Sequence, residues 1–347
     1  MNKDQSLTLD ITKEELLQME KKEKSTMQKI IDAIISILPV ICGIIALLEY
    51  KFIPNIRENE NPIIYTYFLV FFIAIYGLFW IYSILQLRKG KNKSFDKLRH
   101  KAPLYSVIFL LLAIYDYLTL KTGRLQYPFL PWVNDILNIM ITDRVVLAES
   151  AISTIILLFY GYFAGVITGL ITGVVCGYSD KIRYWIDPII KILGPIPTAT
   201  WIPLVMVLAS SLFHGSIFII ALGVWFSVTV ATMTGISNID KSYFDAAKTL
   251  GANNNQLVFN VAIPHAVPNM IQGMIQGMSS ACTALMIAEM LGVESGLGWY
   301  IIWAKSWAMY NKMFAAIIII CIIFITVTKI LNIIKKKVLR WQEGMVI

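Results

Sequence analysis

Eight runs of mainly apolar residues, most about 20 long, restrict this chain more than any other feature: 30–50, 63–87, 103–120, 151–176, 198–213, 216–236, 267–291 and 313–334. A helix rises 1.5 Å per residue, so a run of that length matches the roughly 30 Å hydrocarbon core of a bilayer. Within that core every backbone N–H and C=O must find its partner inside the spanning structure, which leaves helices or closed barrels, and continuous runs without alternation point to helices. The fifth run is short and contains proline. Hydrophobic residues make up 57% of the 347 and charged residues 15%, outside the balance of a soluble domain. The expected fold is an all-α integral membrane protein with about eight transmembrane helices.

The charges indicate sidedness. With the amino terminus inside, the cytoplasmic segments carry 23 Lys and Arg and the outer segments 7, the asymmetry expected of a multi-pass protein. The loop "RKGKNKSFDKLRHK" and the tail "KKKVLRW" contribute most. Both termini are therefore expected in the cytoplasm, and the net charge of +8 reflects topology. No basic stripe with interleaved aromatics points to nucleic acid. Residues 1–29 are polar, lack the features of a signal peptide and read as a cytoplasmic arm, with a surface helix as one form. Cys42, Cys176, Cys282 and Cys321 lie in or at the end of apolar runs without a CxxC pair, so neither a disulfide framework nor a metal site is expected. His100, His214 and His265 are isolated, and no catalytic set stands out.

Composition changes near residue 121. The three runs within 30–120 are bulky and aromatic and form an accessory region, whereas 121–347 places Gly, Ser, Thr and Gln at helical spacing and reads as the working part. Between them, "LQYPFLPWVNDILNIMITDRVV" is too polar to span and reads as an amphipathic element at the outer surface, with Tyr127 and Trp132 at the interface.

Three constellations follow in the second part. Gly161, Gly165, Gly169, Gly173 and Gly177 recur every four residues and expose a strip of bare backbone for close helix packing, with a solute-lining role as the alternative. Gln272, Gln276, Ser279 and Thr283 share a helix face. Amides and hydroxyls in hydrocarbon must meet polar partners, water or a polar solute, so this face either lines a translocation path or forms hydrogen bonds at a subunit seam. Glu289, near the outer end of the same run, is either a structural pairing or capping group or a gate on that path.

The third constellation lies in 243–266, where "SYFDAAKTL" reads as a short helix ended by a left-handed Gly251. "ANNN" supplies a turn and cap for a second helix, "QLVFNVAI", and Pro264 and Pro268 are expected to break the chain before the next span. Ala246 and Ala247 leave room for close approach, and Phe244, Leu250 and Leu257 offer apolar contact. A bland connector is the alternative.

This segment resembles the EAA loop of binding-protein-dependent ABC importer permeases, a pattern of EAA, three residues, Gly, nine residues, Ile, one residue and Leu-Pro. Asp245, Ala246 and Ala247 stand for EAA, Gly251 for the glycine, Val261 for the isoleucine, and Ile263 with Pro264 for the closing pair. "AEMLGVESGLGWYI" and "DPIIKILGPIPTATWIPL" are similar to segments of the sulfonate, taurine and nitrate branch. The resemblance implies a type I importer permease core with extra N-terminal helices, in a prokaryotic cell membrane. It implies that the loop docks on a separate ATPase that binds ATP and Mg, and that partners include a second permease copy, expected as a homodimer, and an extracellular substrate-binding protein. The chain itself has no phosphate loop and needs no cofactor of its own. The outer, Trp-rich stretch at 296–312 is expected at the binding-protein contact or an outer gate, or else forms an interfacial aromatic belt. An ion- or proton-driven secondary transporter and a non-transporting scaffold are the rival readings, although paired buried carboxylates and inverted repeats are not evident.

Overall fold

The computed structural model describes residues 26–89 and 92–341. Most of the expected N-terminal arm lies outside the described residues. Among the described residues seven helices are long and apolar enough to cross a bilayer, and an eighth candidate is a pair bent by 91°. The chain divides into two compact units, 1–138 and 139–347.

The first unit holds α1 (Thr26–Phe52), α2 (Ile63–Arg88) and α3 (Lys93–Asp116), the last continued by a π-helical turn, Tyr117–Lys121. α3 packs more extensively on α1 than on α2. An Asp32–Arg99 ion pair of 2.6 Å joins α1 to α3. The Tyr76 hydroxyl donates to the Ser36 carbonyl at 2.8 Å, and Trp80 Nε1 to Ser36 Oγ at 3.0 Å, joining α2 to α1. At the other end Lys121 Nζ donates to the Tyr50 and Ile53 carbonyls at 2.7 Å and to Asn55 Oδ1 at 2.6 Å, which occupies all three ammonium protons.

The compositional boundary at 121 falls short of the structural one because the following residues fold back onto this unit. Trp132 is buried and donates to Asn59 Oδ1 at 3.0 Å, while Asn134 bridges Asn59, the Glu60 carbonyl and the Tyr65 amide. Trp132 therefore sits in a packed core, contrary to its expected place at the lipid interface, because its indole N–H finds a protein acceptor there. The amphipathic element itself forms α4 (Val133–Thr142).

The second unit contains α5 (Arg144–Tyr178), α6 (Asp180–Leu193), α7 (Ile202–Leu208), α8 (Leu212–Ser237), α9 (Lys241–Thr249), α10 (Asn254–Leu291), α11 (Leu297–Ser306) and α12 (Tyr310–Val338). α8 lies between α5 and α10. The glycines make that packing possible. A Cβ on Gly161, Gly165, Gly169, Gly173 or Gly177 would lie 2.5–2.8 Å from the Cβ of Ile220, Val224, Val228, Thr232 or Ile236, in that order. Every fourth residue of α5 is thus a hole for every fourth, β-branched residue of α8, and the two backbones close on each other. Gly273 and Gly277 of α10 meet Ala231 and Val224 of α8, so Val224 is packed between glycines of α5 and α10.

The register fixes direction. Residue numbers rise together along α5 and α8, so the two run parallel, and the chain must recross the membrane between them. Contacts to α8 follow that return: Arg183 Nη1 reaches Ser237 Oγ at 3.3 Å, Gly194 approaches Phe226, Thr198 approaches Gly223, and Ala209 approaches Gly215. The fifth crossing is therefore made by α6, a 3₁₀ turn at Thr198–Trp201 and α7, bent at the Gly-Pro-Ile-Pro sequence 194–197. A single span over 198–213 does not form. Pro195 and Pro197, two residues apart, deprive a continuous helix of two N–H donors, and the chain turns there. α10 runs antiparallel to α8, and α12 returns alongside α10, with Lys335 Nζ 2.8 Å from Gln272 Oε1. The α5–α6 junction, α9 and the lysines ending α12 consequently share one end of this unit.

Candidate functional site

α9 and the start of α10 form a compact two-helix projection at that end. Asp240 Oδ1 caps α9 by accepting the Ser242 amide at 2.9 Å, and this bond to a charged acceptor lowers the Asp240 pKa. At the far end the amides of Gly251 and Ala252 donate to the carbonyls of Lys248 and Ala247 at 2.9 and 3.0 Å, the paired closure of a Schellman motif, with Gly251 at φ +83°. Asn253 and Gln256 then form a capping box, each side-chain oxygen accepting the other's amide at 2.8–2.9 Å. Helix, left-handed stop and second helix follow the pattern read from the sequence.

The prolines behave differently from that reading. α10 is continuous from Asn254 to Leu291, with Pro264 and Pro268 inside it. A π-helical turn, Leu257–Ala262, directly precedes them. Proline clashes with the carbonyl four residues earlier, and the wider turn relieves that crowding without ending the helix. The second short helix is therefore the root of the long one, and no loop separates it from the rest of α10.

The resemblance-derived residues separate into a base and a tip. Leu257 is 2% exposed, and Phe244 and Ile263 pack around Ile236, Ile239, Ala262, Ala266 and Met270. The Phe244 ring lies 6.4 Å from Tyr178, and Tyr243 lies 5.6 Å from His265. In contrast, Asp245, Ala246, Gly251 and Pro264 are exposed and Ala247 is half-buried. Leu250 is 89% exposed and Phe259 65%. Thr249 Oγ1 donates to the Asp245 carbonyl at 2.9 Å, and Lys248 Nζ stands 3.8 Å from Asp245 Oδ1, both within the exposed part. Beside the projection an open cleft of about 650 Å³ is lined by Tyr243, Asn260, Val261, Pro264, His265 and Val338. A rigid, capped element with apolar side chains in solvent can enter a complementary groove at low ordering cost.

The polar face of α10 is also placed. Gln272, Gln276, Ser279 and Thr283 are all exposed on the surface of the chain. Only Gln272 has a cross-helix side-chain partner among the described residues, Lys335. Glu289 lies apart from them, 1% exposed. Its Oε2 accepts the Gly298 amide at 2.8 Å and the Thr154 hydroxyl at 3.1 Å, while Thr154 Oγ1 accepts the Leu297 amide at 2.8 Å. The first turn of α11 is thereby capped from α10 and α5, which satisfies two orphan helix donors. Thr154 carried no signal in the sequence, because its partner lies 135 residues away. A second network that the sequence did not reveal joins the Tyr300 hydroxyl and Lys312 Nζ to Asp143 Oδ2 at 2.8 and 2.7 Å. It ties α11 and the start of α12 to the residue preceding α5, and burial together with the Asp143 carboxylate raises the Tyr300 pKa.

Comparison with known proteins adds an independent finding. Residues 165–341 match the family model described as binding-protein-dependent transport system inner membrane component. A putative ABC transporter permease protein of Methanocaldococcus jannaschii is 28% identical over 46% of this chain and 58% of its own length. A putative aliphatic sulfonates transport permease protein of Bacillus subtilis is 30% identical over 53% of this chain and 67% of its own length. The taurine transport system permease protein of Escherichia coli is 28% identical over 26% of this chain and 33% of its own length. The aligned part thus spans between a third and two thirds of these relatives.

Proposed function

This chain belongs to the family of binding-protein-dependent transport system inner membrane components, and from that premise we propose that it is the transmembrane permease subunit of an ATP-driven importer. The observation that carries the reading is the projection: a capped helix pair whose base is buried on α8 and α10 and whose tip presents Leu250 to solvent. Its partner in this reading is a separate ATPase that holds ATP and Mg. ATP-driven closure of two such ATPases moves α9, and the continuous α10 carries the displacement to the face of Gln272, Gln276, Ser279 and Thr283. A second copy of the permease across that face encloses a polar path between them.

The basic residues of α6 and α9 and the lysines ending α12 gather at the end that bears the projection, and the positive-inside asymmetry makes that end cytoplasmic. The carboxyl terminus then lies inside the cell membrane, and the even number of crossings puts the amino terminus there too. The cargo follows from relatives named for aliphatic sulfonates and taurine: a small organic or oxyanion solute of sulfonate, taurine or nitrate type, delivered by an extracellular binding protein.

The test is purification of the chain from its native membrane in mild detergent, with identification of co-purifying proteins and assay of ATPase activity and uptake. A P-loop ATPase should accompany the wild-type chain, and Gly251→Val, which forces a β-branched residue to φ +83°, should uncouple hydrolysis from uptake. Isolation of the chain alone under several gentle conditions, or unchanged uptake by the variant, would overturn the proposal.

A further inference from the structure

The first unit contains a groove that the transport reading does not use. Because α3 packs mainly on α1, its seam with α2 is open and encloses a cavity of about 720 Å³. The groove changes character along its length. Tyr82, Ser83, Ser94, Lys97 and Lys101 line one end, and Phe68, Phe72, Phe109 and Leu112 the other. On α3 the lining residues Lys97, Lys101, Tyr105 and Phe109 recur every four residues and so form one face, and the distance from Lys97 to Leu112 is about 22 Å at 1.5 Å per residue.

The two lysines differ from the neighbouring arginine. Arg99 is engaged by Asp32 across the α1–α3 contact, whereas Lys97 and Lys101 make no ion pair among the described residues and are exposed at the groove. Lys101 lies a full turn deeper along α3 than Lys97. An ammonium beside a hydrocarbon-lined cleft is favourable only if it reaches the headgroup layer or meets an anion. A soluble anion would leave the aromatic body of the groove unfilled, and an apolar helix would leave the lysines without counter-charge. An amphiphile with one negative headgroup and long acyl chains matches both ends together.

We propose that this groove is a binding site for an anionic phospholipid, with the phosphate held between Lys97 and Lys101 and an acyl chain laid along Phe68, Phe72 and Leu112. Basic pockets between transmembrane helices select anionic headgroups by the same electrostatics. The accessory helices thereby give the importer a lipid contact outside its transport core.

The test uses the full chain, delipidated in mild detergent and titrated with phosphatidylglycerol or phosphatidylcholine of identical acyl chains, with bound lipid counted by native mass spectrometry. Phosphatidylglycerol should bind preferentially to the wild-type chain. The Lys97→Gln/Lys101→Gln chain should lose about 30-fold of that affinity, the weight of two lysines toward an anionic surface, with phosphatidylcholine binding unchanged. Lys336→Gln/Lys337→Gln, which removes the same charge from α12, should bind as wild type, and Ile108→Trp should weaken both lipids by filling the groove. Equal binding of the two lipids by the wild-type chain would overturn the proposal without recourse to any variant. So would an equal loss in the α12 variant, or a disulfide-linked dimer formed in the membrane by Phe79→Cys, which would place a second copy in the groove.

Discussion

At Gly165, a methyl group decides whether two helices can meet. A Cβ there would stand 2.6 Å from both the Ala221 carbonyl oxygen and Val224 Cβ, and a backbone oxygen cannot rotate away as a side chain can. Gly165→Ala should therefore destabilise the chain by about 1–3 kcal/mol. Gly77 has nothing within 4 Å of the same position, and Gly77→Ala should be neutral or stabilising by about 0.5–1 kcal/mol through helix propensity. Thermal unfolding of the two variants in one detergent compares them, and equal shifts would contradict the packing account. Glu289 offers a second residue-scale test. Glu289→Ala strips the acceptor from the Gly298 amide and the Thr154 hydroxyl and should cost about 1–3 kcal/mol, whereas Glu289→Gln keeps one acceptor oxygen and should unfold close to wild type. If the glutamine variant is stable but cannot support uptake, the charge has a role beyond the cap.

Among the elements, α9 depends on its caps, since a nine-residue helix is too short to persist by propensity alone. Asp240 is fully exposed, yet its bond to the Ser242 amide lowers its pKa. Because the folded value is the lower one, the stabilisation is present above the unfolded carboxyl range near about 4 and is lost as pH falls through the folded value. Amide exchange in α9 should therefore accelerate below pH of about 4 in the wild type, and Asp240→Asn should show a flatter dependence. An identical pH profile in the two would remove Asp240 as the cause. The stop at Gly251 and the cap within 252–255 were legible in the sequence because they act over three or four residues. The persistence of α10 through Pro264 and Pro268 was not, because it depends on a π-helical turn held in place by buried Leu257 and Ala262.

For the whole molecule, the face of Gln272, Gln276, Ser279 and Thr283 gives the sharpest test, since its two readings separate experimentally. Gln276→Leu should reduce uptake by at least about tenfold while leaving oligomeric mass unchanged if the face lines the path. Loss of self-association in the same variant relative to the wild type, measured by native mass spectrometry, would assign the face to a subunit seam instead. The sequence alone determined that the chain spans a membrane with about eight helices, where the glycine strip and polar stripe fall, and that a capped helix pair interrupts the spans. These features follow from composition and short-range periodicity. Only the tertiary structure decided that α5 and α8 run parallel, that the fifth crossing is bent, that Glu289 closes onto α11 with Thr154, and that α2 and α3 leave a groove. The physical reason is distance along the chain. Hydropathy and capping are set within a few residues, whereas register, burial and cavities are set by which remote surfaces come together, and no local pattern encodes that choice.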